Sequence, residues 1–306
     1  MWSPAKDIIS LEDKVILITG GTAGVGRECV LQLAPKNAGH IYFTGRSVER
    51  GNAVIKESTD RGDNTPLTFL ECDLSSLASV QTAAQKILSE QSRLDVLVAN
   101  AGVMNKPPGL TTDGYEIQFA TNFLGHALFI KKLLPLMQHS LELPGADVRV
   151  VEVTSIGFRS APSGGIHFDD LKTEQNFPVR GGMVRYGQSK LAAVLYAQEL
   201  ARRFPNIASM SVTPGIVDTE LVASQGAVQR GLIWLFATVL QGGLLSPEQA
   251  AASELWCGFG PRDKIVQGGF YEPVGKLSKA STQHSKDEDL ARKLWEWTDK
   301  ELEKWV

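Results

Sequence analysis

Tyr186-Gly187-Gln188-Ser189-Lys190 sets a phenol and an ammonium four residues apart. On a helix that spacing puts both on one face, within reach of each other or of a shared ligand. A free tyrosine, with a pKa near ~10, makes a poor base at neutral pH. A positive charge about 4 Å away is worth roughly 4 kcal/mol at an effective dielectric of about 20. At about 1.36 kcal/mol per unit this lowers the pKa by up to about three units, before desolvation opposes it. Tyr186 could then exchange a proton near neutrality. Ser155, which follows the run ending in Val153-Thr154, could hydrogen-bond a substrate oxygen while charge develops there. Asn122 lies in a helical pattern where asparagine is unfavourable, so a local bond is expected to justify it. Taken singly, the Tyr–Lys pair also fits an ordinary helix pair, and Ser155 a strand-end cap.

A glycine-rich turn, Gly20-Gly21-Thr22-Ala23-Gly24-Val25-Gly26, stands between the apolar run 14–19 and a helical pattern starting at Arg27. Gly20 permits the tight turn, while Gly24 and Gly26 let backbone and helix approach closely. The helix start, flanked by Thr22 and Val25, then offers N–H groups to a pyrophosphate. At the next strand end, Thr44-Gly45-Arg46-Ser47, Gly45 stands where a ribose-binding carboxylate is sought. Arg46 follows with a fork suited to phosphate oxygens, which favours NADP(H) over NAD(H). Ala23 adds no second basic group to the turn. Asp73, followed by Leu74, can accept from an adenine amino group, and Asn100-Ala101-Gly102 can pass beneath a ribose. As isolated tripeptides both also fit turns or caps.

These groups can meet only if the elements carrying them end side by side. Short runs rich in Val and Ile alternate with helical patterns, the rhythm of βαβ units feeding a parallel sheet. Strands are expected at 14–19, 40–44, 67–72, 95–100, 148–154, 208–213 and 266–271. The implied architecture is α/β: one Rossmann-type, doubly wound parallel sheet of about seven strands with helices on both faces, closing a site at the carboxyl strand ends. Residues 1–306 read as a single unit, with a substrate lid at about 220–245 and an amphipathic terminal helix at about 287–305. The uncharged stretch 231–245 falls short of the roughly 20 residues of a membrane span. It reads as a buried or ligand-facing helix, with peripheral membrane contact as the alternative.

The ordered set TGGTAGVG, DL, NAG, an interior Asn122, TS, YGQSK and Pro214-Gly215-Ile216-Val217-Asp218-Thr219 resembles the short-chain dehydrogenase/reductase family over about residues 12–271. Asn122 to His126 and Ile166 to Leu171 further resemble its retinol-dehydrogenase-like branch, which acts on apolar alcohols and carbonyls. The resemblance implies a catalytic tetrad. Tyr186 is the acid and base, Lys190 lowers its pKa and holds the nicotinamide ribose, Ser155 orients the substrate oxygen, and Asn122 sustains a relay water. It also implies that Val217 and Thr219 contact the nicotinamide carboxamide. Val98-Ala99-Asn100 lacks the doubled asparagine often seen in the family, and the gap from Ser155 to Tyr186 is long, reflecting an insertion at 163–177.

Composition narrows the classes. With 31 Lys plus Arg against 34 Asp plus Glu, the net charge of −3 lacks the basic balance of a nucleic-acid binder. The 43% hydrophobic content suits an ordinary globular core. Cys29, Cys72 and Cys257 are too scattered for a disulfide framework, which points to a reducing compartment, the cytoplasm. No metal-ligand spacing occurs among the five histidines. The expected activity is NADP(H)-dependent hydride transfer to or from a carbonyl or alcohol carbon of a bulky apolar molecule, such as a retinoid, steroid, terpenoid or polyketide. The substrate wall is expected from 104–110, the segment after Ser155, and 220–245. A catalytically silent nucleotide sensor and a non-redox isomerase or cyclase are the alternatives, and homo-oligomer formation stays open.

Overall fold

Val15–Ile18 and Val96–Ala99 are apolar on both faces, so each needs a helix layer above and below it. The computed structural model, which describes residues 2–223 and 225–306, supplies both layers. A short helix α1 (Pro4–Asp7) precedes β1 (Val15–Ile18), α2 (Gly24–Leu33), β2 (His40–Gly45) and α3 (Val48–Asp60). Next come β3 (Leu67–Glu71), α4 (Leu77–Glu90), β4 (Val96–Ala99), the single turn α5 (Ile117–Phe119) and α6 (Gly125–Ser140). The second half holds β5 (Arg149–Val153), α7 (Gly181–Arg203), β6 (Ala208–Val212), α8 (Glu220–Ala223), α9 (Ala227–Gln241) and α10 (Pro247–Phe259). It ends with β7 (Phe270–Glu272), β8 (Lys276–Leu277) and α11 (Glu288–Leu302).

The sheet order is β3-β2-β1-β4-β5-β6-β7-β8. Winding reverses between β1 and β4, so a crevice opens at their carboxyl ends. Seven strands are parallel, and β8 adds an antiparallel eighth through Tyr271 opposite Leu277. The sequence reading expected about seven. A two-residue hairpin arm carries no alternating pattern, so nothing in its composition announces it. On one face Leu17, Leu97 and Val150 pack under α4, α6 and α7. On the other, Ile16, Val98 and Val151 pack under α2 and α10.

Local signals set the helix starts. Ser246 and Gln249 form a reciprocal capping box at α10, with Pro247 in the first turn. Asp287 caps α11 by accepting from Leu290 N at 2.9 Å. The terminal helix docks on α7: Leu294 and Leu302 are buried and Trp295 stacks on Tyr196 at 4.7 Å.

Of the buried or ligand-facing helix expected at 231–245, burial does not hold for its described side chains. Trp234, Leu235 and Val239 of α9 are exposed, while Ala237 alone among the described side chains of this helix is buried. Position 224 of the expected lid, and the side chains at 228, 229, 232, 236 and 240, lie outside the described residues. Among the described residues no helix is long and apolar enough to cross a membrane.

Candidate active site

Ser155 sits where a strand ends, and Tyr186 and Lys190 sit where α7 passes the sheet. Ser155 follows β5 with extended backbone, and its Oγ accepts from Gly157 N at 3.1 Å. It is therefore the cap that the sequence alone also allowed. The first turns of α7 carry Tyr186 against this loop, where the Ser155 hydroxyl lies close enough to pull the phenol's pKa down. A Cβ on Gly157 would stand 2.8 Å from the Tyr186 ring and 3.3 Å from Ser155 Oγ, so glycine is what lets the two side chains approach. Lys190, one helical turn on, holds its Nζ 5.9 Å from the Tyr186 ring centre and donates to Val153 O at 2.8 Å. Thr154 fixes that turn by donating to Lys190 O at 2.8 Å.

Asn122 has the local bonds that its unfavourable position demanded. It lies in a π-helical turn, Ala120–Leu124, a widening common at functional sites. Its Oδ1 accepts from Val103 N at 2.7 Å, and its Nδ2 donates to Val103 O and to Ser189 Oγ, each at 2.9 Å. Ser189 donates in turn to Tyr186 O at 2.8 Å. Both ends of the Asn122 side chain are thus spent on bracing the segment after β4 against α7. The wide turn also accepts from a ring: His126 Nδ1 lies 3.0 Å from Asn122 O, and its Nε2 2.8 Å from Thr19 Oγ1. Burial holds that imidazole neutral, down to about 4. Sequence reasoning left Ser189 and His126 without roles, although Ser189 stood inside the quoted YGQSK run.

Electrostatics depart from the simple expectation at one point. Burial pushes the Tyr186 phenol above its usual range, with the Ser155 hydroxyl pulling it down. The strong downward pull expected from Lys190 is not what governs it. The ammonium lies over the ring and toward Val153 O, and is itself drawn down to about 8 by burial, with Glu152 and Glu254 pulling the other way. Tyr186 therefore keeps its proton at neutral pH.

Glu152, on the buried face of β5, was not singled out by the sequence reading. Burial pushes it up to about 8, opposed by Lys190. A native pKa raised above the ordinary 4.5 means that stability is full below that value and is lost as pH rises toward about 8. Glu152→Gln should therefore gain up to about 5 kcal/mol on the wild type in alkaline relative to acidic buffer. Thermal melts of both proteins on either side of that window check it, and a gain that is largest at acid pH would contradict it.

The glycine turn makes a cradle at the start of α2. Gly20 and Gly24 have φ of 70° and 55°, and no side chain caps the first amides of α2. Those N–H groups are left for an anion. A Cβ on Gly26 would strike Asn100 Nδ2 at 2.3 Å and Gly20 O at 2.5 Å, and Asn100 Nδ2 donates to Thr19 O at 2.7 Å. Ala101 N donates to Thr19 Oγ1 at 3.0 Å, which closes the seam between the first and fourth strand ends. A Cβ on Gly102 would lie 3.2 Å from Asn122 Oδ1 and 3.5 Å from Lys190 Nζ, so this turn runs beside the Tyr–Lys group. Thr22 faces Gly45, where a Cβ would be only 2.5 Å away. Arg46 is exposed, with no ion pair among the described residues. Thr219 lies against Gly24, and Val217 is buried and bridges to Leu245. Val25 is buried in the core under the cradle, and Leu74 packs on Gly125. Asp73 spends Oδ1 on its own turn, accepting from Ser75 N at 2.9 Å and Ser75 Oγ at 2.7 Å. The residues present fit a dinucleotide.

Comparison with known proteins bears on the same region. The profile described as short chain dehydrogenase matches residues 14–166. An uncharacterized oxidoreductase of Schizosaccharomyces pombe is 37% identical, covering 97% of this chain and 87% of that protein. Human retinol dehydrogenase 11 is 34% identical, covering 94% of this chain and 85% of its own length. Among solved structures, an uncharacterized protein of Mycobacterium paratuberculosis superposes with a TM-score of 0.74 at 25% identity, over 99% of this chain and 97% of that one. The chain belongs to the short-chain dehydrogenase/reductase family of oxidoreductases acting on alcohol and carbonyl groups, in its retinol-dehydrogenase-like branch.

Proposed function

We propose that the protein is an NADP(H)-dependent oxidoreductase that interconverts a carbonyl and an alcohol on a bulky apolar small molecule. The observation that carries this reading is the approach of the Tyr186 and Ser155 side chains around Gly157, with Lys190 over the ring, beside the uncapped start of α2. Gly20, Thr22, Gly24, Val25 and Gly26 would hold the pyrophosphate, and Asp73 with Leu74 the adenine. Asn100, Ala101, Gly102 and Lys190 would hold the nicotinamide ribose, and Val217 and Thr219 the carboxamide. The bound cofactor supplies the hydride chemistry. Ser155 and Tyr186 orient and polarise the substrate oxygen, and Tyr186 gives it a proton. Lys190 stabilises the phenolate left behind. Asn122 keeps Val103 and Ser189 in place around them.

The apolar substrate class is supported by Leu110, Val179, Trp234 and Leu235, large side chains left exposed on the segments proposed to wall the substrate. It is also supported by the name of the human relative, a retinol dehydrogenase. Tests with NADPH and NADH against a panel of apolar ketones and aldehydes, following loss of reduced cofactor, check the activity. Binding of NADPH without its oxidation across the panel would favour a nucleotide sensor instead.

The preference for NADP(H) rests on Arg46, free to fork onto a 2′-phosphate with Gly45 leaving no carboxylate to repel it. Arg46→Asp should weaken NADPH binding about 10-fold, because charge-assisted bonds of roughly 1.5 kcal/mol are lost and a repulsive charge is added. NADH binding should hold or improve. Fluorescence titration with both cofactors reads the ratio; equal changes for the two would remove Arg46 from phosphate recognition.

A further inference from the structure

Arg185 precedes Tyr186 on α7 and is almost fully buried. Its guanidinium reaches three residues on two separate stretches of chain. Nη1 donates to Gln175 O at 2.9 Å, Nη2 donates to Lys106 O at 2.8 Å, and Nε lies 3.2 Å from Glu116 Oε1. Glu116 is also buried, and it ties the same stretches together by its own backbone, donating from N to Leu171 O at 2.9 Å. Its other oxygen accepts from Phe119 N at 2.6 Å. One helical turn past Arg185, Gln188 accepts from His167 N and donates to Gln175 Oε1, each at 2.9 Å. Gln118 donates to Gly182 O at 2.9 Å.

Two loops are gathered here, 103–116 after β4 and 160–180 after β5. Neither has a regular element of more than three residues beyond residue 160 to fix its course, and both touch α7 within four residues of Tyr186. Gln175 and Asn105 hold left-handed φ of 50° and 54°, a conformation that costs a non-glycine residue energy unless its surroundings impose it. Gln175 is held by Arg185 and Gln188 together. Asn105 donates to Gln225 Oε1 at 3.0 Å and packs so close to Gly182 that a Cβ there would meet its Oδ1 at 2.2 Å.

We propose that Arg185 is a positioning residue: its fork latches the loops 103–116 and 160–180 to α7 and so preforms the wall against which a bulky apolar substrate is oriented. This rests on the carbonyl and alcohol activity proposed above. A lysine at 185 keeps the charge beside Glu116 but cannot present two carbonyl-directed donors in one plane. A preformed wall matters most to a substrate large enough to touch both loops, and a small one needs only the hydroxyl pair.

The test compares wild type with Arg185→Lys on two ketones, butanone and a bicyclic ketone of decalone size. Arg185→Lys should raise KM for the bicyclic ketone about 10-fold or more with kcat little changed, and leave butanone within about 3-fold. The double variant Glu116→Gln/Arg185→Met, which buries no unpaired charge, should reproduce that split. Hydrogen exchange should speed up in 103–117 and 160–180 while α2 and the glycine turn stay as protected as in wild type. Equal losses on both ketones, or unchanged exchange in the two loops, would overturn the latch. If wild-type protein reduces neither ketone, the activity reading has failed, and the exchange pattern alone decides whether Arg185 holds the loops.

Discussion

Tyr186→Phe is expected to lower kcat/KM for carbonyl reduction by about 10³-fold while NADPH affinity stays within about 3-fold, since a positioned acid contributes roughly that much. The ring is buried at 5% exposure and packs on Gly157, and phenylalanine preserves that packing. What disappears is one oxygen and its proton. Because burial raises the phenol, wild-type Tyr186 is loaded with a proton at neutral pH, which suits reduction directly. The variant therefore separates proton supply from folding and cofactor binding. Initial rates with an apolar ketone, together with NADPH titration, make the measurement; a variant keeping more than a tenth of the activity would place the proton donor elsewhere.

Lys190→Met should cost about 10²-fold or more in kcat/KM, the loss typical of removing one preorganised charge from a developing anion. It removes the ammonium over the Tyr186 ring and the donor to Val153 O. The pH profile carries a sign. Lys190, drawn down to about 8, is charged below that value and neutral above it. Tyr186, raised, stays protonated across the same range. Wild-type reduction should accordingly fall as pH rises through about 8, and Lys190→Met should lose this limb. A variant with the full wild-type limb would assign the titration to another group, Glu152 being the first candidate because it faces Lys190 and titrates in the same range.

Much of this arrangement was legible because it is local in sequence. The turn Gly20–Gly26, the strand-end residues Asp73, Asn100 and Ser155, and the Tyr186–Lys190 spacing each announce a backbone need or a helix face within a few residues. Asn122 was legible as an anomaly, and the π-helical turn explains it. What escaped depends on contacts across the chain. Arg185 looks like one more helix cation until Gln175, Lys106 and Glu116 surround it. Glu152 looks like an alternating strand residue until a parallel sheet buries both its faces. The direction of the Tyr186 shift also escaped, because a charge four residues away is visible in sequence and full desolvation is not. Likewise the apolar run in α9 reads as buried, yet hydrophobicity alone does not say which side of a helix meets the body.

The most direct measurement uses NADPH carrying deuterium at the transferable position of the nicotinamide ring, with an apolar ketone that the wild-type protein turns over. If Tyr186, Ser155 and Lys190 serve hydride transfer, the alcohol formed bears one deuterium on its carbinol carbon for each cofactor oxidised. An altered substrate with no label on that carbon, formed while NADPH remains unconsumed, would contradict it.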